Sequence, residues 1–97
     1  MRVTNLNGTS DKDCSCGSWL RHWALFNTKG QKLPKLCPAC KQKLAEVGAH
    51  VQKADSDRND WYIVPLCKGC NNQSSDVVFD IGDCALASAN KAKTCDR

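Results

Sequence analysis

Cys37 and Cys40, and again Cys67 and Cys70, form two Cys-x-x-Cys pairs that bracket the segment 41–66. No other feature constrains the fold so tightly. Two such pairs brought together supply four thiolates, which satisfy the tetrahedral preference of Zn²⁺ and leave no open position for chemistry. With 97 residues the chain has room for one domain and a small core, and 8 cysteines in that length mark a scaffold held by metal or by disulfides. Met1 to Asp13 are polar and carry no apolar secretion segment. That favours reduced thiols, bound metal and a cytoplasmic, intracellular setting, with a disulfide framework as the alternative. No apolar run approaches the ~18 residues of a membrane span, so no membrane partner is expected.

Residues 1–13 show no periodicity and read as a flexible amino terminus; residues 14–97 read as a single zinc-binding domain. Ser18 is placed to cap a helix over Trp19–Phe26, whose Trp19, His22, Trp23 and Phe26 fall on one stripe, better suited to a core than to a ligand platform. A basic loop from Asn27 to Leu36 leads into the first cysteine pair. Val47–Val51 and Trp61–Val64 read as two strands of a hairpin, with Pro65 ending the second. The turn between them, Ala54–Asp60, starts like a calcium loop with Asp55, Asp57 and Asn59. It lacks the glycine and the closing glutamate that such a loop needs, and reads as an ordinary turn.

Cys67 opens a helix, Val77–Ile81 reads as a further strand, and Asp83–Lys93 as a helical turn or two. Knuckle, hairpin and helix in that order make a treble clef over about 37–75. The expected fold is therefore a small α+β zinc-stabilised domain: a treble clef with an N-terminal aromatic helix and a second zinc site. The first Zn²⁺ falls to Cys37, Cys40, Cys67 and Cys70; the second would draw on Cys14, Cys16 and Cys95, with Cys84 or His22 completing it. The alternatives are a packed aromatic-face residue for His22 and a small buried apolar group for Cys84.

Charge says less in total than in distribution. The formal net charge is +4 with neutral thiols, and one tetrathiolate zinc centre brings it to about +2. From Cys14 to Ala45 the chain carries Arg21, Lys29, Lys32, Lys35, Lys41 and Lys43 and no acidic residue. Lys29, Lys32, Lys35, Lys41 and Lys43 are the candidate contacts to DNA or RNA, with a solvated lysine-rich loop as the alternative.

Gly48-Ala49-His50-Val51 followed by Val64-Pro65-Leu66-Cys67-Lys68-Gly69-Cys70-Asn71 resembles the HNH, or His-Me finger, endonucleases, over roughly residues 37–75. The resemblance implies His50 as the general base and Asn71 as a ligand to a catalytic Mg²⁺ or Mn²⁺. The motif is degenerate: Ala49 stands where the family carries a metal-binding Asp or His, and the central asparagine falls near Tyr62 unless Asn59 substitutes. A cation short of a ligand is held poorly and stabilises the phosphate charge poorly. The expected function is accordingly a non-catalytic zinc-binding module that engages nucleic acid. An HNH-type endonuclease is the second reading, and the third is a zinc adaptor that binds a protein partner through the aromatic helix.

Overall fold

The computed structural model describes residues 1–6, 18–54, 61–74 and 76–89. They build a five-stranded antiparallel sheet with one helix across one face and a cysteine-bearing loop and turn of helix on the other. The strands are β1 (Arg2–Asn5), β2 (Val47–Lys53), β3 (Tyr62–Leu66), β4 (Val78–Asp80) and β5 (Ala87–Ser88), in the order β4-β1-β2-β3-β5. The helices are α1 (Trp19–Phe26) and the single turn α2 (Lys68–Asn71).

The β2–β3 hairpin forms the centre, with Val47 opposite Leu66, Ala49 opposite Val64 and His50 opposite Ile63. Because successive side chains on a strand point to opposite faces, this register sorts the core into two layers. Val3, Ala49, Val51, Val64 and Leu66 fall on one face with Cys37, Cys67 and Cys70; Ile63 and Ala87 fall on the other with Trp19 and Trp23. α1 begins as its sequence demands, with the Ser18 hydroxyl accepting a hydrogen bond from the Arg21 backbone N–H at 3.1 Å. Trp19, His22 and Trp23 are buried, so the aromatic stripe is core. Gly48 lets α1 lie this close to the sheet: a Cβ there would stand 2.4 Å from the Trp19 carbonyl carbon and 2.5 Å from the Leu20 nitrogen.

Three expectations need correction. Residues 1–13 are not all a loose terminus. Arg2–Asn5 form β1, paired with both β2 and β4, and the Met1 amino group reaches the Asp80 carboxylate and the Gly82 carbonyl. The segment is too short for periodicity to register, but its alternation buries Val3 and Asn5 on one face and Thr4 on the other. Second, the described part of the expected helical stretch, 83–89, is not helical; Ala87–Ser88 pair with β3 as β5, and 90–93 lie outside the described residues. The apolar run Ala85-Leu86-Ala87 is short and straddles both core layers, as a buried strand does and an amphipathic helix does not.

Third, Pro65 does not end β3 but lies inside it, opposite Gly48 and buried. The Ala89 N–H donates to the Trp61 carbonyl, so by alternation the nitrogen of residue 65 faces the β5 side, past the Ile63–Ala87 pair where β5 stops. A proline there removes no ladder bond. The backbone of Ala85, which the register would bring opposite Pro65, is served by side chains instead: its N–H donates to Gln31 Oε1 at 2.9 Å and its carbonyl accepts from Trp23 Nε1 at 2.8 Å. The turn 55–60, with its calcium-loop-like residues, lies outside the described residues.

Candidate metal centre

Residues 35–45 double back into a tight loop: the Cys37 N–H donates to the Lys43 carbonyl at 2.8 Å, the Lys41 N–H to the Cys37 carbonyl at 2.8 Å, and the Ala45 N–H to the Lys35 carbonyl at 3.1 Å. Lys41 takes the left-handed conformation this loop requires, φ 60°, at a cost of about 1 kcal/mol for a side-chain-bearing residue. The loop's amides turn inward. The N–H groups of Gln42, first, and Lys43 point at the Cys40 sulfur and hold its thiol down from 9.0 to about 6. The second pair is set by α2, where Cys67 is the N-cap and its sulfur accepts from the Cys70 N–H at 3.4 Å.

The two pairs meet. The sulfurs of Cys37, Cys40, Cys67 and Cys70 all lie within 4.8 Å of one another, and Cys40 Sγ stands 3.8 Å from Cys67 Sγ. A tetrahedral Zn–S centre with bonds near 2.3 Å has sulfur–sulfur edges of about 3.8 Å, whereas a disulfide needs about 2.05 Å. The spacing therefore fits a metal ion and not a disulfide. The electrostatics point the same way. Burial, first, and the neighbouring sulfurs push the Cys70 thiol well above its ordinary value, because four thiolates cannot share so small a volume without a cation. These four cysteines form a group able to hold a metal ion. The four-sulfur donor set is soft and closed, which is the chemistry of a structural ion.

Asn5 is the residue of this site that no motif singled out. From β1 its side-chain NH₂ donates to the carbonyls of Cys70 at 2.8 Å, Gln73 at 3.2 Å and Asn71 at 3.4 Å. These carbonyls lie at and just past the end of α2, where the Cys70 carbonyl also accepts from the Gln73 N–H, so Asn5 ties down the turn that carries Cys70 from a position far away in sequence. The amide is buried, and among the described residues its oxygen has no hydrogen-bond partner. The available signal is an alternating Val-Thr-Asn run, which points to a strand but not to what its third residue touches.

The other sequence candidates scatter. Cys14, Cys16 and Cys95 lie outside the described residues. Cys84 is half-buried between the two core layers, outside the four-sulfur group, and burial raises its thiol from 9.0 to about 11. His22 is fully buried on the α1 face, with Nε2 2.6 Å from the Ser88 carbonyl oxygen. His50 points to that same face: it is buried, and its ring meets the edge of Trp19 at a centroid distance of 4.6 Å. α2 with Asn71 packs on the opposite face, beside Asn5 and Cys70. The strand residue directed toward the cysteine layer is Ala49, which has no donor atom. His50 and Asn71 are thus separated by the sheet.

Lys29, Lys32, Lys35, Lys41 and Lys43 are all exposed around the first cysteine loop. Among the described residues the ion pair found is Met1 with Asp80, and, after the Gly82 N–H and that amino group, Lys41 lies near enough to the same carboxylate to help lower its pKa. Lys29 Nζ donates to the Asp83 carbonyl at 3.3 Å. Among the described residues no helix is long and apolar enough to cross a membrane. Comparison with protein-family models, with curated proteins and with solved structures gives no match to this chain.

Proposed function

We propose that Cys37, Cys40, Cys67 and Cys70 hold a structural Zn²⁺ in a treble-clef arrangement, and that the module so built engages nucleic acid without catalysis. Convergence of the four sulfurs at metal-ligand spacing carries the first half. The order of loop, hairpin and helical turn supports the treble clef, with the second pair opening that turn. Exposed Lys32, Lys35, Lys41 and Lys43 on and beside the loop that bears the first pair support the second half, since phosphate binding needs cations open to solvent. The ion's part is structural: it neutralises the thiolates and ties the loop to the sheet.

Native mass spectrometry of protein purified without added metal should find zinc bound through these four cysteines. Cys37→Ser or Cys67→Ser should lose that ion. Binding to DNA or RNA should weaken as salt rises, and neutralising Lys32, Lys35 and Lys41 together should weaken it and flatten its slope by about 0.7–0.9 for each phosphate no longer neutralised. Metal-free preparations would end the first half, and salt-insensitive or absent binding the second.

The endonuclease reading is disfavoured by the burial of His50 beneath Trp19 and its separation from Asn71. Nicking of supercoiled plasmid with Mg²⁺ or Mn²⁺ that His50→Ala abolishes would restore it. The adaptor reading relied on exposed tryptophans on α1, and Trp19 and Trp23 are both buried. Of the three tryptophans only Trp61 is exposed.

A further inference from the structure

We draw no further inference here: the strongest candidate, the trough between the first cysteine loop and the turn 81–84, is lined by the exposed Asp83 as well as by Lys32 and Lys41, and nothing in the structure shows what covers it.

Discussion

On one face of the sheet Trp19, Trp23, Ile63, Ala85 and Ala87 close around α1; on the other, Cys37, Cys67 and Cys70 sit among Val3, Ala49, Val51, Val64 and Leu66. The first layer is built on large rings, with Trp23 fully buried and hydrogen-bonded and Gly48 cut away to admit the helix. The second has no aromatic ring among its buried members and must organise an irregular loop and one turn of helix, elements with little stability of their own. The layers thus illustrate two ways for a small chain to hold its shape. Apolar area serves where the chain can supply an amphipathic helix, and where it supplies only turns it places four cysteines able to hold an ion.

If that contrast holds, removing the metal should damage one face far more than the other. Chelation, or Cys67→Ser, is the largest perturbation, because a structural ion contributes on the order of 10 kcal/mol in small metal domains. Amide NMR signals of 35–45 and 67–73 should collapse at chelator concentrations that still leave the Trp19 and Trp23 indole signals dispersed. Simultaneous loss of all signals would mean that the two layers form one cooperative unit, and unchanged spectra would mean that no ion is needed.

Trp23→Ala attacks the other layer and should cost about 3–5 kcal/mol in denaturant unfolding, while the protein that remains folded keeps its full complement of metal. Loss of metal in proportion to Trp23 truncation would erase the distinction between the faces.

Asn5→Asp is the smaller and sharper probe. It keeps the size of the side chain but replaces a donor facing three carbonyls with an acceptor, at a cost of about 1–3 kcal/mol. The cost should appear as faster metal loss to a competing chelator. Thr4→Ala, on the same strand but pointing to the α1 side, should leave metal loss unchanged even where it lowers overall stability. Equal chelator sensitivity in both variants would show that β1 supports the sheet and not the cysteine turn.

The parts of the fold that were readable in the sequence are those whose cause is local. Ser18 and the aromatic stripe after it specify α1 to the residue, and the alternating runs around Ala49 and Ile63 specify the hairpin. The candidate site was equally legible, since the two cysteine pairs are spaced to meet one ion and their sulfurs do converge. What could not be read depends on pairing between distant segments. β1 has too few residues to show a period, and β5 is recognisable only once β3 is beside it. Pro65 looks like a strand end until Trp23 and Gln31 are seen serving the backbone opposite. His50 and Asn71, close together in a motif, were parted by register.

The amino-acid sequence by itself determined which atoms can bind an ion, where the first helix starts and which loop carries the surplus of positive charge, because donor identity, capping and composition need no partner. Only the tertiary structure decided which face each side chain serves. A strand's alternation assigns residues to two sides, but which side meets the cysteines and which meets the tryptophans is set by what packs there, and that put Ala49 toward the sulfurs and His50 beneath Trp19.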